Sequence, residues 1–158
     1  MASPGNRLRV ISGGQSGVDR AALDVALELG LPCGGWCPAG RRAEDGPIPL
    51  RYPLQETESA DYTERTRRNV VGADATLILS QNALSGGTLL TVQIAGESDK
   101  PCLVVDLRRP WQAAEVGVWL QACAVTCLNV AGPRESTAPG IYALAGDYLR
   151  AALLPHTP

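Results

Sequence analysis

The stretch RLRVISGGQSGVDRAALDVALEL, residues 7–29, decides the fold. Its opening part, Arg7–Ile11, has the length and the apolar end of a buried strand. A glycine turn follows, and from Gly17 to Leu29 apolar side chains recur at the three- and four-residue spacing of a helix that ends at Gly30. We therefore predict a strand, a tight turn and a helix, which together form the repeating unit of α/β proteins with parallel sheets.

The same alternation continues along the chain. Further strands are predicted at Gly34–Trp36, Ala73–Ser80, Cys102–Asp106 and Ala124–Val130, and further helices at Tyr62–Val71, Thr88–Ala95, Pro110–Ala122 and Ile141–Leu153. We expect one domain, residues 1–158, with a doubly wound parallel sheet of about five strands between two layers of helices. The expected strand order, counted along the chain, is 2-1-3-4-5, which puts a ligand between the first and third strands.

Composition limits the classes of protein that fit. Hydrophobic residues make up 45% of the chain and charged residues 19%, which is typical of a globular protein. The net charge of −2 argues against a nucleic-acid surface, and the apolar runs are too short to span a membrane. Met1–Pro4 leads into the first strand without the apolar segment of a secretion signal. We therefore expect a soluble, cytoplasmic protein with neither nucleic acid nor membrane as a partner.

Three glycine turns follow predicted strands, at Gly13–Gly17, Ser85–Thr88 and Ala131–Ser136. The first backbone N–H groups of a helix lack intrahelical partners, and the helix dipole favours an anion there. Glycine also lets an anion approach the main chain closely. We therefore predict a site for a small phosphorylated ligand near the first two turns. The third turn follows a strand further off in the expected order, so either the order differs or this turn reaches the site only through Arg134. Binding is assigned to the backbone amides of Gly13, Gly14, Gly17, Gly86, Gly87 and Thr88, with Ser85 beside them.

Asp19 allows two interpretations. Ser16 and Asp19 have the spacing of a capping box, in which both side chains bond to the first turn of a helix. Alternatively, Asp19 faces the ligand and binds a ribose hydroxyl, an amine or a metal. Gln15 and Ser16 can donate or accept hydrogen bonds at the same turn. The turn has neither the glycine spacing of a dinucleotide-binding fold nor the lysine of a Walker loop.

The segment Pro38–Glu58 is rich in proline, glycine and charge, has no periodicity and predicts a long functional loop. Within it, the guanidinium groups of Arg41 and Arg42 can each bind an oxyanion through two hydrogen bonds. The carboxylates of Glu44 and Asp45 can accept two N–H bonds from the amino edge of a guanine or pterin ring. An internal salt-bridge loop fits the same residues equally well.

Two residues outside this loop complete the predicted site. Trp36 precedes the loop and either stacks on a ligand ring or lies in the core. Tyr62, Arg65, Thr66 and Asn69 share one face of a predicted helix, which is either solvated or closes over the site. Arg65 is the best candidate on this face for a further anion contact.

Catalytic motifs are absent from the sequence. The only histidine, His156, lies near the end of the chain, and no arrangement resembles a Ser-His-Asp or Cys-His set. Five cysteines without loop-type zinc spacing favour reduced thiols, and we assign no metal site. These features favour a binding protein over an enzyme. A hydrolase would need Asp19, Glu44 or Asp45 to act with a raised pKa.

Several motifs resemble the molybdenum carrier family, also called molybdenum cofactor carrier proteins. The resemblance extends over nearly the whole chain and is most specific in the loop at residues 40–46. The motifs that carry it are SGGQSGVDRAA (12–22), GWCP (35–38), GR (40–41), AEDG (43–46), YPL (52–54), RT (65–66), NV (69–70), DATL (74–77), GGT (86–88), KP (100–101) and AGPRES (131–136). This resemblance implies a Rossmann-like homo-oligomer that binds molybdenum cofactor, a molybdopterin phosphate carrying an oxo-anionic metal centre.

The family is also similar to the cytokinin-activating phosphoribohydrolases, whose Pro-Gly-Gly-x-Gly-Thr-x-x-Glu motif matches Ser85–Thr91 in this chain. The catalytic glutamate of that motif has no counterpart here, which argues against the hydrolysis. Two alternatives stay open: a nucleotide-processing enzyme that uses Asp19 or Glu44, and a nucleotide sensor. The predicted helix Pro110–Ala122 is apolar on more than one side, which favours a homo-oligomer, either dimer or tetramer.

Overall fold

The computed structural model describes residues 7–157. The strands are β1 (Arg9–Ile11), β2 (Cys33–Gly34), β3 (Trp36–Cys37), β4 (Gln55–Glu56), β5 (Ala75–Ser80), β6 (Cys102–Asp106) and β7 (Cys127–Ala131). The helices are α1 (Val18–Leu29), α2 (Tyr62–Gly72), α3 (Gly86–Glu97), α4 (Ala113–Ala122) and α5 (Ile141–Leu153), followed by a 3₁₀ turn at Leu154–His156. The predicted alternation of strands and helices is confirmed. Met1–Pro4, for which we predicted no secretion signal, lies outside the described residues.

Five strands form one parallel sheet in the order β2-β1-β7-β5-β6. The predicted α/β class with a five-stranded parallel sheet is therefore confirmed, whereas the predicted strand order is wrong. The last strand, β7, lies between β1 and β5, with Val10 opposite Leu128 and Leu77 opposite Val130. This position brings the turn after β7 between the turns after β1 and β5, so all three glycine turns lie at one edge of the sheet.

Helices cover both faces of this sheet, as expected for a Rossmann-like three-layer fold. Helices α1, α4 and α5 pack on one face, over a core that includes Val10, Leu77, Leu79, Leu128 and Val130. Helices α2 and α3 pack on each other around Val70, Ile94 and Ala95 at the other face. Because successive strand residues point to opposite faces, the polar residues Ser80 and Asn129 point away from the larger core. None of the helices in residues 7–157 has the length and apolar character needed to cross a membrane.

The segment between β3 and α2 is mostly loop, as predicted, but it contains one short strand that the sequence did not predict. Strand β4 pairs in parallel with β3, with Trp36 opposite Gln55. Gly35 separates β2 from β3 with a φ of 129°, and a Cβ atom there would lie 2.2 Å from the Ser12 carbonyl oxygen. Only glycine fits this close approach of two backbones.

Candidate functional site

A cavity of about 350 Å³ lies at the carboxyl edge of the sheet, beyond β1, β5 and β7. Its walls come from the turns after these strands and from one face of α2. A cavity of this size is within the range of small-molecule sites. Among the residues predicted for the site, the structure brings together Gly13, Gln15, Asp19, Arg65, Ser85, Gly86, Gly87 and Thr88. Their role in binding stays a prediction.

Helix α3 begins in the wall of this cavity. Its cap, Ser85, makes no side-chain cap bond, and its first turn holds no acidic residue. The N–H groups of Thr88 and Leu89 donate to the Ser85 carbonyl at 3.2 and 3.3 Å. The N–H groups of Gly86 and Gly87 have no acceptor among residues 7–157. Two unpartnered amides at the positive end of a helix suit an anion.

Gly13 lies under the guanidinium group of Arg65. A Cβ atom at position 13 would lie only 1.7 Å from Arg65 Nη1 and 3.0 Å from Asp19 Oδ2. In the structure, Arg65 Nη1 is 3.2 Å from Asp19 Oδ2, and the two side chains are 12% and 6% exposed. The missing side chain of Gly13 thus allows an arginine from α2 to form an ion pair with a carboxylate of α1 in the wall of the cavity.

Asp19 is a buried carboxylate of the cavity, and the capping box with Ser16 is not formed. The N-cap of α1 is Gly17, without a side-chain cap bond. Asp19 Oδ2 accepts a hydrogen bond from the backbone N–H of Gln15 at 3.3 Å as well as from Arg65. Burial raises the pKa of Asp19 above its usual range, although the nearby Arg65 guanidinium opposes this change.

Arg134 and Tyr62 also line the cavity. From the sequence, Tyr62 belonged to the helix face that was either solvated or closed over the site, and neither residue was among those assigned to the ligand. The Arg134 guanidinium lies 4.5 Å from the centroid of the Tyr62 ring, and that of Arg65 lies 5.4 Å from the same centroid. Within the described chain, no carboxylate forms a salt bridge with Arg134. The third glycine turn carries Arg134 to the cavity because β7 lies between β1 and β5, so the first of the two alternatives, a different strand order, is the one that the structure shows.

The other two glycines of the first turn, Gly14 and Gly17, pack against neighbouring segments of the protein. The N–H of Gly14 donates to Ser12 Oγ at 3.3 Å, and a Cβ atom on Gly14 would lie 2.5 Å from a side-chain carbon of Leu54. A Cβ atom on Gly17 would lie 2.3 Å from the Pro133 carbonyl oxygen. Gly14 and Gly17 therefore allow close packing of neighbouring segments, and neither lines the cavity.

Glu44 and Ser16 lie on the outer side of the same turns. The Glu44 carboxylate accepts hydrogen bonds from the hydroxyl groups of Ser16 and Ser136 and from the Ser136 N–H at 3.2 Å. Ser16 Oγ also accepts from the Glu135 N–H at 3.2 Å. The hydrogen bonds from Ser136 and Ser16 lower the pKa of Glu44 below its usual range. Glu44 therefore joins the turn after β1 to the turn after β7.

The remaining charged residues of the predicted loop also contact the protein itself. The Arg41 guanidinium donates to four backbone carbonyl groups, at Ile48, Pro49, Tyr52 and Leu54. Asp45 forms a salt bridge with Arg20, with 3.1 Å between Oδ2 and Nη1. The backbone carbonyl of Arg42 accepts from Gln15 Nε2 at 2.8 Å, while the Arg42 side chain is exposed. None of these three loop residues lines the cavity.

Trp36 lies outside the cavity as well. Its backbone exchanges two hydrogen bonds with the Asn69 side chain, at 2.8 and 3.0 Å. The Arg68 guanidinium lies 4.5 Å from the centroid of its ring. Trp36 therefore fixes α2 against β3, and α2 in turn carries Arg65 to the cavity.

Within residues 7–157, no group of three or more histidine, cysteine, aspartate or glutamate side chains could hold a metal ion. All five cysteines are free thiols.

The fold and the cavity define a class: an α/β protein with a parallel sheet whose carboxyl edge holds a small, positively charged pocket. Residues 10–153 match the model of the circularly permutated YpsA SLOG family, and the chain belongs to this family. The resemblance stated from the sequence is confirmed by this match and by a solved structure.

That structure is the 1.45 Å crystal structure of a protein from Syntrophus aciditrophicus SB that bears the name "putative molybdenum carrier protein". The two proteins are 43% identical, and the match covers 94% of this chain and 96% of the other with a TM-score of 0.89. No curated protein matches the chain.

Proposed function

We propose that this protein binds and carries a small phosphorylated cofactor, and that the cofactor is molybdenum cofactor. The observation that carries the proposal is the positive charge around the cavity. The free amides of Gly86 and Gly87, the guanidinium of Arg134 and that of Arg65 all face one space of about 350 Å³. Asp19 is the one carboxylate lining it in the described chain.

The phosphate is assigned to the first turn of α3. Backbone N–H groups at a helix start bind phosphate with the dipole in the favourable direction. Arg134 lines the same cavity and forms no salt bridge within the described chain, so its guanidinium is available for a bidentate contact. The ring of the ligand then lies beside Tyr62, between these anion contacts and Asp19.

The identity of the cofactor rests on similarity. The protein from Syntrophus aciditrophicus that shares 43% of its residues with this chain is named as a molybdenum carrier. Molybdenum cofactor combines a phosphate with a pterin ring, which fits a pocket with an anion end and a polar end. Binding through these two groups needs no protein ligand to the metal.

Native mass spectrometry tests the proposal on protein purified from a host that makes molybdenum cofactor. The wild-type protein is expected to retain a mass that matches the cofactor or its pterin phosphate. Gly87→Asp is the decisive variant, because it puts a negative charge into the anion site while an acidic residue in a first helical turn favours folding. A Cβ atom at Gly87 meets no atom within 4 Å, so the variant is expected to fold.

Gly96→Asp is the matched control, since Gly96 is an exposed residue of the same helix away from its start. We expect the control to retain the ligand and Gly87→Asp to lose it. Retention of the ligand by Gly87→Asp, or a wild-type protein without any bound phosphorylated compound, contradicts the proposal.

A second candidate function is supported by the raised pKa of Asp19 in the cavity. A carboxyl with a raised pKa can act as a general acid, and an enzyme that cleaves the ribosyl bond of a nucleotide would use it so. Incubation with a panel of nucleoside monophosphates distinguishes the two functions. Release of free base that Asp19→Asn abolishes favours the enzyme, whereas binding without release favours the carrier or a nucleotide sensor.

A homo-oligomer and a cytoplasmic location remain our proposals for this carrier. Val118 of α4 is 67% exposed, and Trp111 just before this helix is 43% exposed. Apolar side chains grouped at one surface are typical of contacts between subunits. Sedimentation velocity measures the oligomeric state, and Val118→Asp is expected to shift it towards the monomer.

A further inference from the structure

We infer that Tyr62 is a positioning residue of the anion site: its ring orients the guanidinium group of Arg134, and the N–H groups of Arg134 stay free for the ligand. The inference rests on the proposed function, which assigns Arg134 to the phosphate. Both residues line the cavity. Tyr62 thereby acts on the ligand through Arg134 and not by stacking on the ring of the ligand.

The Tyr62 ring is in contact with the guanidinium group of Arg134. The guanidinium carbon lies 4.5 Å from the ring centroid, which is within the distance at which an aromatic ring attracts a cation. In the part of the chain that the structure describes, the Arg134 side chain forms no salt bridge and donates no hydrogen bond. Its five N–H donors therefore remain available for the oxygen atoms of an anion.

The carboxylate of Glu44 does not hold Arg134 in place. The lowered pKa of Glu44 comes mainly from its hydrogen bonds with Ser136 and Ser16, and the charge of Arg134 adds a weaker attraction. No salt bridge joins Glu44 to Arg134 within residues 7–157. The contact with Tyr62 is thus the one that orients the guanidinium group.

An aromatic ring suits this task better than a carboxylate does. An arginine side chain loses rotamer freedom when it binds a ligand, and this loss weakens binding. The contact with Tyr62 removes part of that freedom before the ligand arrives. A carboxylate would restrict Arg134 as well, but it would also occupy the N–H groups that the anion needs.

Tyr62 is itself fixed by its place in the fold. It is the first residue of α2, and the cap of this helix, Asp61, accepts a hydrogen bond from the Thr63 N–H at 2.9 Å. The guanidinium group of Arg65, which is paired with a buried carboxylate, lies 5.4 Å from the centroid of the same ring. The ring is therefore a fixed support for Arg134.

Inorganic phosphate is the probe, because it has no ring on which Tyr62 could stack. Its dissociation constant is measured by NMR, at constant ionic strength, from the chemical shift of the Gly87 backbone amide. Tyr62→Leu is expected to weaken phosphate binding about fivefold. Tyr62→Phe keeps the ring and should bind phosphate as tightly as the wild type. Tyr142→Leu is the matched control at an exposed tyrosine that does not line the cavity, and it should leave binding unchanged.

A double-mutant cycle shows whether Tyr62 acts through Arg134. Arg134→Gln alone should weaken phosphate binding about tenfold. The addition of Tyr62→Leu should weaken it no further, because the side chain that Tyr62 orients is then absent. An equal loss from Tyr62→Leu in both backgrounds would mean that Tyr62 acts through Arg65 or through the fold, and it would overturn the inference.

Three other results also overturn it: wild-type affinity in Tyr62→Leu, an equal loss in Tyr62→Phe and Tyr62→Leu, or no binding of phosphate to the wild type. The amide spectrum shows whether each variant is folded, and Tyr62→Met takes the place of Tyr62→Leu if that variant does not fold. The proposed function is judged separately, from the compound retained in native mass spectrometry.

Discussion

Arg65 and Asp19 form a buried ion pair, with 3.2 Å between Nη1 and Oδ2, that joins α2 to α1 beside the cavity. The contact is possible because the residue between them, Gly13, has no side chain. The pair connects the two sides of the cavity that belong to different segments of the chain. The stability of the fold and the shape of the cavity therefore depend on the same three residues.

Gly13→Ala is expected to displace the Arg65 side chain, because the new Cβ atom would lie 1.7 Å from its Nη1. Loss of the buried pair should lower the free energy of unfolding by about 3 kcal/mol. Urea denaturation measures this change. Gly96→Ala is the control, since a Cβ atom there meets nothing within 4 Å, and it should raise the stability by about 0.5–1 kcal/mol. Equal stability of Gly13→Ala and wild type would show that the pair contributes nothing.

Arg65→Gln is expected to make stability depend more strongly on pH through Asp19 than it does in the wild type. Without the guanidinium, burial acts unopposed and raises the pKa of Asp19 further above its ordinary value of 3.8. The folded state then binds the proton more tightly than the unfolded state, so stability falls as the pH rises from 3.8 through the folded-state pKa. Urea denaturation at about pH 5 and about pH 7.5 measures the difference.

The double variant Arg65→Gln with Asp19→Asn removes the titrating group as well. It should regain most of the stability lost at neutral pH, and its stability should no longer change between the two conditions. A single variant Arg65→Gln that is equally stable at both pH values argues against a buried, unpaired carboxylate.

Glu44→Gln tests the connection between the turns after β1 and β7. Hydrogen bonds from Ser136 and Ser16 lower the pKa of Glu44 below its ordinary value of 4.5, so its contribution is present above pH 4.5 and is lost as the pH falls through the folded-state pKa. The carboxylate is exposed and screened by solvent, so we expect a loss of only about 1 kcal/mol at pH 7. Unfolding curves at about pH 7 and about pH 3.5 check this, with a smaller loss at the lower pH. Glu58→Gln, at an exposed glutamate, serves as the control and should change nothing.

Arg41→Lys tests whether the long loop is held by its own arginine. A lysine has no planar fork and cannot reproduce hydrogen bonds to four carbonyl groups, so the free energy of unfolding should fall by about 2 kcal/mol. Arg42→Lys, one residue further along, changes an exposed side chain and should have no effect. Thermal unfolding of both variants measures the contrast, and similar melting temperatures would contradict it.

The sequence was sufficient to predict the strands and helices but not the order of the strands. Each parallel strand has the same local pattern whatever its neighbours are. Val104 of β6 is apolar yet 42% exposed, because β6 is an edge strand. Asn129 of β7 is polar yet 3% exposed, because β7 lies in the centre. Hydropathy alone therefore does not distinguish the edge strand from the central one.

Those parts of the candidate site that belong to a single turn or a single helix face could be predicted from the sequence. The start of α3 and the position of Arg65 on α2 follow from local spacing, and both line the cavity. The role of the long loop was not predictable. A charged side chain that binds a ligand and one that binds the backbone of its own loop look the same in the sequence. Arg41 bonds to carbonyl groups that lie seven to thirteen residues further along the chain, and no local pattern predicts such contacts.

The central position of the last strand has a consequence for biosynthesis. Strands β2 and β1 form one pair and β5 and β6 form another, and β7 alone joins the two. The two pairs therefore cannot join into one sheet before residues 127–131 have been synthesised. The ligand cavity, which spans both pairs, cannot form before β7 is in place.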